Sequence, residues 1–347
     1  QVANKSAAQR LIATQNSPLG QRTRVSMRDA TGVALPTTVP MNLDRPQLAQ
    51  NLELPIAELF RYAYITDRYE GLVVVDVNTL HDGDPQNNYL ERAVTYNPDH
   101  KLDGVIKIKI AGNYAYMIST SSGLHIVDIS KPRQPRWVAN VGPPYIIAGR
   151  SVAIQLHYAF VVDSEGFKVI DISEPTQPVP VTIAAVPLTD ARDVYPLRTY
   201  VYVAAGRDGM AIIDIEKPEN PQLVEMFDAN GQMNDVTSIT TGTVNASTFA
   251  FVADGHNGLR IVRLIEPPEV EGHLGFSPQP KPKLIGSYKT RGPAVAIADG
   301  MMRDRATDED GNQIGVGGRL GSHPLHKEDI DKLLRRNGRI FRIVDTR

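Results

Sequence analysis

The chain has 347 residues, 41% of them hydrophobic, which is enough apolar material for a packed core and excludes wholesale disorder. Its 37 basic and 39 acidic residues leave a net charge of −2 with no long block of one sign, so a nucleic-acid or membrane-surface partner, which wants a basic face, is not expected. Cysteine is absent, which excludes disulfides, thiolate metal sites and a cysteine nucleophile, and no apolar stretch reaches the ~18–20 residues of a membrane span.

Residues 1–55 read as an N-terminal arm with two strand-like runs, "RTRVSM" (22–27) and "GVALPTTV" (32–39). Residues 56–347 are built on an internal repeat. A glycine ahead of an apolar run sits at 71, 123, 166, 209 and 258, and the intervals lie near the ~40–50 residues of one propeller blade. The runs are "GLVVVD", "GLHIVD", "GFKVID", "GMAIID" and "GLRIVR". Each follows a second run, "RYAYITD", "NYAYMIS", "HYAFVVD", "TYVYVAA" or "TFAFVAD", in which large and small residues alternate as they do in a half-buried strand. A short polar loop joins the two, which is the pattern of a β-hairpin.

After the terminal Asp come "ISKPRQP", "ISEPTQP" and "IEKPENP". Proline cannot donate to a ladder, so these segments end the strand and turn the chain. Another apolar segment follows ("RWVANV", "VTIAAV", "QLVEMF", "KLIGSY"), and then one more before the next hairpin ("SVAIQL", "DVYPL", "DVTSI", "AVAIA"). Four strands per unit with no helical periodicity between them predict an all-β fold, a β-propeller of four-stranded antiparallel blades.

A sixth, interrupted unit ends the sequence. "AVAIADG" has the spacing of an innermost strand and "NGRIFRIVD" copies the third, with an insertion at about 299–337 between them that reads as the missing second strand plus a short helix near 327–336. No outermost strand remains at the C-terminal end, so an N-terminal strand from either arm run is expected to close the last blade. Six blades is the preferred count, with seven the alternative.

The "IVDIS" and "VIDISEP" runs resemble the LVIVD repeat. That resemblance covers roughly residues 60–300 and implies a β-propeller in an extracytoplasmic setting: cell surface, secreted or periplasmic. It carries no shared catalytic residue to transfer. One unit departs from it, having Arg263 where the others have Asp76, Asp128, Asp171 and Asp214.

The repeated aspartates, with Asp345 of the last unit, are best read as turn caps bonding nearby amides, because every unit places one at a turn. The second-to-third-strand loops carry Asp67, Arg68, Asp163, Glu165, Arg207, Asp208, Asp254 and His256. These gather at one end of the blades and form the candidate binding rim, since loops on a rigid scaffold are where binding residues concentrate. Asp308, Asp310 and Asn312 stand at alternate positions like the first half of a calcium-binding EF-hand loop, but Gln313 replaces the bend glycine and Arg319 the final glutamate. His125 and His157 fall in strands, where a satisfied structural histidine is the default.

No nucleophile-elbow, phosphate-loop or zinc-protease motif is present. The expectation is a non-catalytic interaction or scaffold module with another protein or subunit as partner, and with no cofactor unless Ca²⁺. An enzyme with its site at the channel mouth is the alternative, though the innermost strands supply only Lys107, Lys109, Asp193 and Asp235 as charged groups. A third reading is an accessory subunit docked on a cofactor-bearing redox partner.

Overall fold

The computed structural model describes residues 25–36, 61–77, 90–244, 247–266 and 276–298, together with four two-residue backbone segments near the C-terminal end. The fold is all-β, a β-propeller repeat with five four-stranded antiparallel blades among the described residues. In every blade the strands are hydrogen-bonded in sequence order. The chain divides into two compact units, one holding residues 1–103, 129–135 and 301–347, the other 104–128 and 136–300.

The first unit contains blade 1: β1 (Ala30–Ala34), β2 (Tyr62–Asp67), β3 (Gly71–Asp76) and β4 (Glu91–Tyr96). The "GVALPTTV" run therefore starts the first blade instead of closing the last. Gly32, Val33 and Ala34 face Thr66, Ile65 and Tyr64 of β2. Val25 and Met27, just ahead of it, pack against Ala63, Val73 and Val75.

The second unit contains four blades. Blade 2 is β5 (Val105–Ala111), β6 (Tyr114–Ser119), β7 (Gly123–Asp128) and β8 (Arg136–Val141). Blade 3 is β9 (Ser151–Gln155), β10 (Tyr158–Val162), β11 (Gly166–Asp171) and β12 (Val179–Pro187). Blade 4 is β13 (Asp193–Leu197), β14 (Tyr200–Ala204), β15 (Met210–Asp214) and β16 (Gln222–Phe227). Blade 5 is β17 (Ser238–Val244), β18 (Ser247–Ala253), β19 (Leu259–Ile265) and β20 (Lys283–Tyr288).

The first strands of these four blades are neighbours, β5 beside β9, β9 beside β13 and β13 beside β17. The period of two then divides each middle strand between two cores. On β10, Ala159 and Val161 join Ile118, Ile126 and Val152 between blades 2 and 3. Tyr158, Phe160 and Val162 join Phe167, Val194 and Val203 between blades 3 and 4. Tyr202, Ile212, Ile239 and Val252 repeat the arrangement between blades 4 and 5. Both faces are buried, so the strands read as nearly continuous apolar runs.

The recurring glycine also has a steric cause. Gly123, Gly209 and Gly258 sit at φ +84°, +82° and +88°, and a Cβ there would collide with the carbonyls of Val141, Phe227 and Tyr288 on the fourth strand. Only glycine allows that approach without strain.

Beyond blade 5 the chain bends back as it did before blade 5. Ala294 bridges Gly255 as Val236 bridges Gly206, so the "AVAIA" segment begins where a further first strand would. Near the C-terminal end, Arg319–Leu320 pairs with His323–Pro324 and Arg335–Arg336 with Arg339–Ile340. The helix expected near 327–336 thus gives way at its end to a strand pairing across Asn337-Gly338, a hairpin-favouring dipeptide. The rest of that helix, most of the 299–337 insertion and the end of "NGRIFRIVD" lie outside the described residues.

Candidate functional site

At the second-to-third-strand hairpins of the second unit, the residue closing the second strand determines the local chemistry. In blade 3 it is Asp163. Its Oδ1 accepts the amides of Glu165 (2.9 Å) and Gly166 (3.2 Å), and its Oδ2 accepts the amide of Ile147 on the incoming crossover (2.9 Å). Lys168, on the adjoining strand, donates to the same Oδ2 at 2.8 Å, to Glu165 Oε2 at 2.5 Å and to the Tyr145 carbonyl at 2.7 Å. Burial alone would pull the Lys168 pKa down, but the two carboxylates outweigh it and hold the value above the ordinary one.

Blade 5 repeats this plan with Asp254, which accepts the Asp235 amide at 2.9 Å and Arg260 Nε at 3.1 Å. Blade 2 uses a neutral version built from Ser119 and His125. Trp137 Nε1 can only donate, so it fixes His125 Nδ1 as an acceptor at 3.2 Å and leaves Nε2–H to meet Ser122 Oγ at 2.7 Å. Burial lowers the His125 pKa to about 4. Blade 4 has Ala205 and Ala211 at the corresponding places, both buried.

A ladder of ion pairs links the crossovers at this end. Arg150 reaches Asp190 (2.9 Å), Asp190 holds Arg192 (2.7 Å), Arg192 reaches Asp235 (2.8 Å), and Asp235 lies 3.1 Å from His256 Nδ1. The Arg192 hydrogen bond, aided by His256, keeps the Asp235 carboxyl below its usual range despite partial burial. Gly206 and Gly255 lie directly beneath Asp190 and Asp235, and a side chain at either would collide with the carboxylate.

On the first strands, Asp193 is a buried hub for all four blades of this unit. It accepts from Lys107 Nζ of β5 (2.5 Å), Ser151 Oγ of β9 (2.8 Å) and Ser238 Oγ of β17 (2.5 Å). Desolvation would raise its pKa, but the Lys107 charge and the three hydrogen bonds together lower it.

In the first unit, Asp67 accepts the amides of Asp29, Tyr69 and Glu70. Burial opposes ionisation there and those amides overcome it, so its pKa is lowered. Arg68 pairs with Asp29 at 2.8 Å, and Glu70 pairs with Arg92.

Of the rim residues expected from sequence, Asp67, Asp163 and Asp254 are fully buried, bonding backbone amides rather than facing solvent. Arg68, Glu165, Arg207, Asp208 and His256 are at the surface. Among the repeated aspartates, Asp171 accepts the Ser173 amide and Asp214 the Glu216 amide, each at 2.8 Å. Asp128 pairs with Arg136, and Asp76 with Arg61 and Arg133. Asp345, Asp308, Asp310 and Asn312 lie outside the described residues, among which no group of three His, Asp or Glu side chains could hold a metal ion. No helix among them is long and apolar enough to cross a membrane.

Sequence reading missed Lys168 and Arg260. Their signal was available: a basic residue stands two places after the repeat glycine in two of the three blades whose second strand ends in Asp.

The LVIVD repeat matches residues 61–81, 105–142, 148–184, 189–229 and 246–267, one segment per blade. No curated protein sequence matches the chain. Similar solved structures include a putative 6-phosphogluconolactonase from Bacteroides uniformis (11% identity, TM-score 0.48, 77% of this chain and 75% of that one). The computationally designed protein Ika8 is similar at 12% identity and TM-score 0.45, over 71% of this chain, which spans 61% of Ika8. The β-propeller domain of Myceliophteria thermophila Cps50 (Swd1) is similar at 10% identity and TM-score 0.43, over 77% of this chain and 76% of that one.

Proposed function

We propose a non-catalytic interaction role for this chain, which belongs to the LVIVD repeat family. It acts as a rigid propeller module that presents loops and hairpin turns to a protein partner, in an extracytoplasmic setting as the family resemblance implies. The observation that carries this reading is how the ionisable groups at the hairpin end and on the first strands are engaged. Asp163, Asp190, Asp193, Asp235 and Asp254 are each held by a basic side chain of the same unit. A general base or nucleophile needs a group available to a reacting atom; these carboxylates instead join strand to strand and blade to blade. The exposed loops differ in sequence from blade to blade.

Gentle crosslinking of the chain in its native host, followed by purification and mass measurement, tests the reading. A partner recovered at fixed stoichiometry is the expected result. Recovery of the chain alone and monomeric would overturn it.

A further inference from the structure

At the opposite end of the blades from the ion-pair ladder, two-residue turns join the first two strands: Gly112-Asn113, Leu156-His157 and Arg198-Thr199. The first residue of each is left-handed, at φ +56°, +54° and +58°. Glycine adopts this conformation freely, whereas Leu156 and Arg198 carry a steric penalty. Leu156 gains no burial in return, being 84% exposed. Strain retained without a packing benefit points to function at that position.

The neighbouring turn is built for recognition. The Arg198 guanidinium lies 5.9 Å from the ring centroid of Phe276, itself 77% exposed. Ser277 anchors this segment to the turn, accepting the Thr199 amide at 3.3 Å and meeting Thr199 Oγ1 at 2.6 Å. Gln155 Nε2 donates to the Arg198 carbonyl at 2.7 Å, tying the Leu156 turn to it. Arg136, Arg150, Arg192, Arg260 and Arg263 of this unit each reach a carboxylate. Arg198 reaches none among the described residues. A guanidinium held over an aromatic face with no carboxylate partner retains N–H donors that can take a carboxylate in bidentate fashion.

We propose that Leu156, Arg198 and Phe276 form a docking surface for a partner polypeptide that presents an Asp, Glu or C-terminal carboxylate flanked by apolar side chains. The cation, without a carboxylate among the described residues, selects the carboxylate, and the exposed leucine and phenylalanine take the apolar flanks. Arg and aromatic residues grouped in this way dominate binding energy at protein interfaces. The proposal rests on the interaction-module reading and specifies its surface.

A random-peptide display selection on the intact chain tests it. Enriched peptides should carry a carboxylate between apolar residues, and exchanging that acid for its amide should weaken binding at least about tenfold. Arg198→Lys should cost about tenfold, because an ammonium cannot reproduce the fork. Arg198→Gly should abolish binding while raising the thermal midpoint, since it removes the contact and the strain together. Leu156→Gly should likewise weaken binding and stabilise the fold. Enriched peptides that lack a carboxylate, or that bind Arg198→Gly as well as the native chain, would overturn this surface while leaving the interaction reading to the native crosslinking result. A selection that enriches no peptide would overturn it as well.

Discussion

Blades 3 and 4 share one strand order and carry opposite chemistry. The amide of Asp163 bonds the carbonyl of Gly166, and the amide of Ala205 bonds that of Gly209, so both hairpins close through the same bond, across two residues in blade 3 and three in blade 4. Yet blade 3 fills the space beneath with a buried Asp163–Lys168 pair, and blade 4 fills it with Ala205 and Ala211. Blade 2 adds an intermediate case, a neutral histidine held by Trp137 and Ser122. The repeat therefore dictates where strands begin and turn, while the interior of each hairpin is free to be ionic, polar or apolar provided its groups are mutually satisfied. Charge in this region is a means of fastening the blade, and blade 4 shows that it is dispensable.

That comparison can be broken most decisively at blade 3. Lys168→Met should leave Asp163 buried without its counter-ion and cost ~3–5 kcal/mol, read as a lowered urea midpoint. Adding Asp163→Ala, to imitate blade 4, should recover more than half of that loss. Complete recovery is not expected, because the amides of Ile147, Glu165 and Gly166 lose their hydrogen-bond acceptor. If the double variant were as unstable as the single, the equivalence of the two blades would fail.

Blade 2 offers a smaller effect with a definite pH window. The His125 pKa falls from its ordinary 6.5 to about 4 in the fold, so the unfolded chain takes up the proton first. Stability contributed by this site is complete above pH 6.5 and declines as pH falls toward 4, by roughly 3 kcal/mol at pH 4. His125→Asn, which retains an acceptor for Trp137, should flatten that part of the stability profile measured by denaturant titration. An unchanged slope would show that the histidine is not held neutral.

Much of the fold was legible because the repeat is written in residues with strict backbone demands. Gly123, Gly209 and Gly258 mark a close approach that only glycine permits, and the paired prolines mark strand ends. Strand β1 was not assigned to its blade. "ATGVA" is weakly patterned and 27 residues lie between it and β2, so only the long-range pairing of Val33 with Ile65 decides which blade it joins. Local sequence cannot encode that choice. The hairpin end was legible in position and not in depth. Asp163 and Asp254 look like ordinary exposed loop acids until the basic residue on the adjoining strand is taken into account. Leu156 was hidden differently, since it ends the run "SVAIQL" as one more apolar strand residue and its left-handed turn leaves no glycine as a marker.

On this reading recognition belongs to exposed turns and loops, while the inner ionisable groups are architectural. Amide hydrogen exchange on the chain, alone and with any partner recovered by the native crosslinking, tests this. Protection is expected at exposed turns and loops, with exchange along the first strands β5, β9, β13 and β17 unchanged. Protection confined to those first strands around Asp193, as a small molecule held there would produce, would contradict it.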